Sequence, residues 1–183
     1  MQHLTARDYK TMPWANGRGQ TVELIRVDAP DGRLLWRLSM AVVTENGPFS
    51  VFPGINRNLT VIDGPGFDLV SADNRIRADP LQPVAFCGET PIVADNVIAP
   101  CADFNVMTAA ALPRPLVQVI SQGQSVWMPG QICLFALKPG LFAGRIIATH
   151  DLLIGISVGV LQDGLAIVVG LPVDPLASSV PDA

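Results

Sequence analysis

Histidine is nearly missing from this chain of 183 residues, which holds only His3 and His150. A metal centre in a β-barrel needs closely spaced histidines and a carboxylate, because several ligands must converge on one ion. Two distant histidines do not supply that set and no dense acidic loop offers a hard-cation site, so neither a metal nor another cofactor is expected. Cysteine is scarce too. Cys87, Cys101 and Cys133 are odd in number and show no C-x-x-C spacing, which argues against a zinc knuckle and a disulfide framework and leaves reduced, buried thiols as the expectation. Charged residues make up 15% of the chain, the net charge is −4 and no Lys/Arg cluster is present, all of which argues against a nucleic-acid partner. Where a signal peptide carries its apolar core, this chain has Arg7, Asp8 and Lys10, so a cytoplasmic location is expected.

The longest hydrophobic run, residues 152–173, is interrupted by Gln162-Asp163-Gly164. A charge at mid-bilayer costs roughly 3 kcal/mol, so the run reads as a β-hairpin turning at Asp163-Gly164, and no membrane partner is expected. Helical periodicity is absent as well, and sixteen glycines and sixteen prolines punctuate the chain too often for long helices. What is present is a repeated unit of short apolar run and turn. Strands are predicted at 21–27, 34–43, 84–87, 105–107 and 116–120. Hairpins are predicted at 59–70 through Asp63-Gly64-Pro65-Gly66, at 132–143 through Lys138-Pro139-Gly140, and at 152–169. The hydrophobic fraction of 49% supports a sizeable core. The expectation is an all-β chain forming one compact unit over 1–183: an N-terminal antiparallel barrel at 1–110, a second barrel at 111–175 packed against it, and a flexible tail at 176–183.

Catalytic machinery is thin. Gly123-Gln124-Ser125-Val126-Trp127 lacks the second glycine of a nucleophile elbow, Cys87 and Cys133 lie in apolar runs that favour the inert thiol, and Gly17-Arg18-Gly19 is too short to cradle phosphate. No catalytic residue is assigned, although Glu23, Glu45, Glu89 and Asp103 leave acid–base chemistry open.

Binding residues are easier to find. Phe49 and Phe52 are bracketed by Gly47-Pro48 and Pro53-Gly54, a stiff connection with Arg57 at its exit. Aromatics held this way beside one cation suit a preformed pocket wall, and a guanidinium in apolar surroundings calls for an anion, which a carboxylate meets with two parallel hydrogen bonds. The alternatives are a loop that merely plugs a barrel end, and an Arg57 paired within the chain to Asp63 or Asp103. Arg37 shares a strand face with Ser39, and Asp103 shares one with Asn105, so polar pairs can line a cavity. Trp14 and Asn16 belong to a loop that caps one end, and Ser50 offers a hydroxyl between the two phenylalanines. The candidate ligand-binding set is therefore Trp14, Asn16, Arg37, Ser39, Phe49, Ser50, Phe52, Arg57, Asp103 and Asn105.

The segments that hold these residues resemble the HutD/Ves family. The resemblance rests on Met12-Pro13-Trp14-Ala15-Asn16-Gly17-Arg18-Gly19 with Thr21 and Glu23, and on Trp36-Arg37-Leu38-Ser39-Met40-Ala41. It continues through Gly47-Pro48-Phe49-Ser50-Val51-Phe52-Pro53-Gly54 with Arg57, then Phe86-Cys87-Gly88-Glu89 and Asp103-Phe104-Asn105-Val106-Met107. Arg18 stands where that family usually has glycine, Asn56 where it has an acid, and Thr108-Ala109-Ala110-Ala111 where it has basic residues. The resemblance implies a bicupin, two antiparallel cupin-like β-barrels packed together without the metal ligands of ordinary cupins. It also implies a non-catalytic protein that binds a small carboxylate, N-formylglutamate or a related acid, and modulates histidine utilisation. Two other readings stand beside it: a metal-independent isomerase or hydrolase acting on a carboxylate metabolite with Glu23 or Asp103 as base, and a protein-interaction module. A homodimer is left open.

Overall fold

The computed structural model describes residues 1–14 and 19–172, so Asn16 and the tail at 176–183 lie outside the described residues. Every regular element in it is a strand, as the period-2 runs require. In chain order these are β1 (Gln2–Leu4), β2 (Lys10–Pro13), β3 (Gln20–Asp28), β4 (Leu34–Val43), β5 (Gly47–Pro48) and β6 (Ile55–Asp63). There follow β7 (Phe67–Val70), β8 (Arg75–Ala78), β9 (Val84–Cys87), β10 (Val93–Asp95), β11 (Cys101–Ala109) and β12 (Leu116–Ser121). The chain continues with β13 (Ser125–Val126), β14 (Gln131–Phe142), β15 (Arg145–Ile147), β16 (Leu152–Ile154) and β17 (Gly159–Leu171).

Two antiparallel barrels result. The first is made from a six-stranded sheet, β2-β3-β4-β11-β6-β9, closed by a four-stranded one, β5-β10-β7-β8. The second is a seven-stranded sheet ordered β1-β16-β14-β17-β12, with β13 on β17 and β15 on β14. Between β11 and β12 the chain passes from the first set of sheets to the second.

Strict alternation on β4 and β11 divides the labour of the first sheet. Trp36, Leu38, Phe104 and Val106 point outward and pack on Cys133, Phe135, Ile154, Ile167 and Val169 of the second barrel, a core that lies between the two. At its centre the Phe104 and Phe135 rings stack with centroids 4.7 Å apart. The opposite residues of the same strands face the first barrel's interior. A sheet covered on both faces, with only a few polar side chains gathered on the inner one, explains why so little charge is found in the sequence. The second barrel is filled by its own side chains, among them Ile120, Leu134, Phe142, Leu153, Leu161 and Val168.

Three predicted hairpins differ from the structure. The 63–66 turn does not fold β6 back on itself. It carries the chain round a corner into the other sheet, where β7 pairs with β8 and β10 instead. Lys138-Pro139-Gly140 and Asp163-Gly164 are not turns either: β14 and β17 run straight through them, paired to one another, with register shifts at Lys138 and Leu141. The two turn-like sequences are facing bulges. There the backbones approach so closely that a Cβ on Gly140 would lie 2.2 Å from the Asp163 carbonyl oxygen. Bulges absorb the extra residues while keeping strands of 12 and 13 residues continuous, which period and turn signals alone do not distinguish from a hairpin. Gly140→Ala is accordingly expected to destabilise the fold by about 1–3 kcal/mol in urea unfolding, the ordinary cost of overpacking; an unchanged midpoint would contradict the close approach.

Two smaller departures concern the ends and the thiols. Residues 2–4, counted with the first barrel, pair antiparallel with β16 and add a strand to the second. Tyr9 reinforces this clasp through a 2.6 Å bond from its hydroxyl to the His150 carbonyl, and His3 meets Asp151 at 2.8 Å. Cys101 and Cys133 are buried as expected, the latter with its thiol pushed up to about 12 by burial, whereas Cys87 is exposed on the edge strand β9. Among the described residues no helix is long and apolar enough to cross a membrane, and the 152–173 run supplies β16 and β17.

Candidate functional site

The site is built on the interior face of the first barrel. Antiparallel register puts Asn105 opposite Ser39, and Met107 between Arg37 and Arg57, so these residues project from β4, β11 and β6 to one side. The Phe49–Gly54 connection folds over them. It is tied at three points: Phe49 N–H to the Ile92 carbonyl, Phe52 N–H to the Gly88 carbonyl, and Gly54 N–H to Glu89 Oε1, each 2.8 Å. Gly88 is required at this seam, since a Cβ there would lie 2.8 Å from the Phe52 oxygen and 2.7 Å from that of Ile55. Trp14 closes another side, its ring lying over Gly19 and its Nε1–H donating to Thr21 Oγ1 at 2.9 Å.

The result is a cavity of about 590 Å³, within the roughly 300–1,000 Å³ typical of small-molecule sites. Trp14, Arg37, Ser39, Phe49, Ser50, Phe52, Arg57, Asp103 and Asn105, all predicted from sequence, line it together. Thr21, Met107, Thr44 and Asn46 line it as well, outside the predicted binding set, as does Glu45, which the sequence offered only as an acid–base candidate. Nor was Phe86, the directly paired cross-strand neighbour of Arg57 on β9. Its strand is legible in the sequence, but its partner follows only from the register of β6 and β9.

Arg57 is the centre of the site. The residue is only 9% exposed, and three rings surround its guanidinium carbon, with centroids at 4.9 Å (Phe86), 5.2 Å (Phe49) and 5.5 Å (Phe52). Nη2 donates to Asn105 Oδ1 at 3.0 Å, and the Asn105 amide in turn donates to Asp103 Oδ1. Neither Asp63 nor Asp103 is a direct ion-pair partner of Arg57, and its buried Nε finds no acceptor among the described residues. Burial draws the Arg57 pKa down to about 10, against the pull of Asp103 and with a further push from Arg37. Burial likewise lifts Asp103 to about 7, although Arg57 and the Asn105 bond both favour its charged form.

Arg37 has a different role. It is bound to Glu23 at 2.7 Å, both side chains being little exposed, so this guanidinium is already neutralised. Glu23 thereby serves as a counterion and is not among the residues lining the cavity. Among the described residues no group of three or more His, Cys, Asp or Glu side chains is placed to hold a metal ion.

A family model described as HutD matches residues 6–148. A relative from Pseudomonas putida, described as an uncharacterized 21.2 kDa protein in the hutC 3′ region, is 38% identical over 123 residues. That match covers 64% of this chain and 63% of the relative, so the chain spans under two thirds of the relative's length. The structure of HutD from Pseudomonas fluorescens SBW25, described as a formate condition, superposes with a TM-score of 0.75 at 29% identity, covering 93% of this chain and 94% of that one. A conserved protein of unknown function from Pseudomonas aeruginosa PAO1, PA5104, gives 0.79 at 29% identity over 93% and 97%.

Proposed function

The chain belongs to the HutD family, associated with histidine utilisation, and from that premise we propose that its first barrel binds a small carboxylate without transforming it. The ligand is N-formylglutamate or a closely related acid, and its binding modulates the use of histidine. One observation supports this reading: a guanidinium surrounded by three phenyl rings, with no carboxylate among the described residues bonded to it, beside a cavity of ligand size. Burying a cation is costly unless an anion meets it, and a ligand carboxylate does so with charge-assisted hydrogen bonds. Ser39 and Asn105 add directional hydrogen bonds from the cavity floor, and Trp14 and the phenylalanines cover the ligand's carbon chain. The formate condition of the Pseudomonas fluorescens relative is in keeping with a site for the simplest carboxylate group.

The test is calorimetry with N-formyl-L-glutamate at neutral pH. A dissociation constant of about 1 μM to 1 mM is expected, equivalent to roughly 4–8 kcal/mol, which one bidentate ion pair and aromatic burial can supply. Absence of heat with this acid, with glutamate and with formate alike would sink the proposal. Asp103 gives the enzymatic alternative its one support, because a carboxyl raised to about 7 beside a cavity is suited to general-base work. Turnover of the bound acid by purified protein, lost in Asp103→Asn, is the result that favours it.

A further inference from the structure

We infer that Asp103 is a specificity-determining residue of this pocket: a carboxylate headgroup that docks on Arg57 enters together with one proton, which Asp103 keeps, so the site accepts singly charged heads and rejects dianionic ones. The inference rests on the carboxylate-binding reading above and follows from counting the described charges buried at the floor of the cavity. The groups around Asp103 come from several elements. Arg57 lies on β6, Arg37 on β4 is cancelled by Glu23 on β3, and the Cys101 thiol on β11 has its pKa raised by burial. Asp63 is exposed at the end of β6, and Glu45 lies in the loop lining the cavity. Among the described residues that leaves one buried guanidinium to face Asp103, and the hydrogen bonds link the two through Asn105.

A visiting carboxylate adds a second negative charge against the same cation. Two carboxylates sharing one site do not both ionise readily, and one of them takes up a proton. The ligand bonded to Arg57 keeps its charge. Asp103 is the group already pushed toward neutrality by its surroundings, and with Oδ1 held by Asn105 its other oxygen is left to carry the proton. The proton comes from solvent and leaves with the ligand. A phosphate or sulfate dianion sets both charges on the one head against Arg57 and would need two such protons, or would leave a charge uncompensated, whereas the second carboxylate of N-formylglutamate is held away from the first by the carbon chain.

The sign of the linkage is fixed. Proton uptake on binding makes affinity independent of pH where Asp103 is already neutral. As pH rises through the free-state value, binding weakens by up to about tenfold per unit. N-formyl-L-glutamate is titrated by calorimetry at pH 5.5, 7.0 and 8.5, each in two buffers of different ionisation heat, and formate is titrated in parallel by carboxyl 13C NMR of the wild-type protein. Uptake approaching one proton at pH 8.5, falling toward none at pH 5.5, is expected. A shift of the Asp103 carboxyl signal toward its protonated position as formate is added is expected as well. Asp103→Asn, close to isosteric, flattens the profile and binds roughly tenfold or more tighter than wild type at pH 8.5. Sulfate displaces neither ligand at that pH. Binding with no proton uptake and a flat wild-type profile overturns the role of Asp103 while leaving the carboxylate site intact. Proton-linked formate binding without binding of the formylated acid overturns only the proposed ligand. No binding of either acid overturns both.

Discussion

Arg57→Met is expected to raise the dissociation constant for N-formyl-L-glutamate at least about 100-fold and to leave the protein as stable as before, or more so. Removing one partner of a buried charge pair costs about 3–5 kcal/mol, and each 1.4 kcal/mol is about a factor of ten in affinity. Stability moves the other way because the free protein gains little from this cation. Its guanidinium is dehydrated, holds one hydrogen bond to Asn105 and leaves Nε unbonded. Three ring contacts offset part of that, at roughly 0.5–2 kcal/mol each. Methionine has a similar length, keeps contact with Phe49, Phe52 and Phe86, and avoids the desolvation; the debit is about 1 kcal/mol for the Asn105 oxygen left without its donor. Alanine is the poorer probe, since it empties the space between the three rings and adds a cavity cost unrelated to charge. Calorimetry and urea unfolding on the same preparation decide the matter. A fall in stability that matches the loss of binding would make Arg57 a structural residue.

The chemistry of this pocket was more legible in the sequence than its topology. Asp103 and Asn105 two apart in a strand must share a face, and so must Arg37 and Ser39. Those statements need only the period of a strand, and register then set the two pairs side by side. The Phe49–Phe52 segment could be read because Gly47-Pro48 and Pro53-Gly54 restrict the backbone locally. What could not be read were properties set by a distant partner. Lys138-Pro139-Gly140 and Asp163-Gly164 each carry a turn's chemistry, yet each is held straight by the other across the sheet. The pairing of Arg37 with Glu23, which leaves Arg57 as the cation of the described cavity residues without a carboxylate bonded to it, depends on β3 and β4 being neighbours. Phe86 joined the ring of aromatics for the same reason, through a β6–β9 pairing that no local signal announces.

Phe135→Ala is expected to cost about 3–5 kcal/mol of stability while leaving ligand affinity within about twofold at a temperature where the variant is folded. Phe135 is fully buried between the barrels, stacked on Phe104 on one side and parallel to the His150 ring at 5.5 Å on the other. Truncation leaves a void bounded by two stiff sheets that cannot close together, so the penalty falls at the upper end for a large-to-small change. A double-mutant cycle with Phe104→Ala should return a coupling of about 0.5–1.5 kcal/mol, as for other aromatic pairs in contact. Affinity is spared because β11 separates the two functions by alternation: Phe104 and Val106 face Phe135 and its neighbours, while Asp103 and Asn105 face the cavity. Unfolding should remain a single transition followed equally by the fluorescence of Trp14, Trp36 and Trp127 and by far-ultraviolet dichroism, because neither barrel can leave its outward face uncovered. Two separated transitions in the wild type would mean that the central core does not bind the barrels into one cooperative unit. A large loss of affinity in folded Phe135→Ala would mean that the strand transmits displacement from one face to the other, and that the floor of the pocket is held by the second barrel as much as by the first.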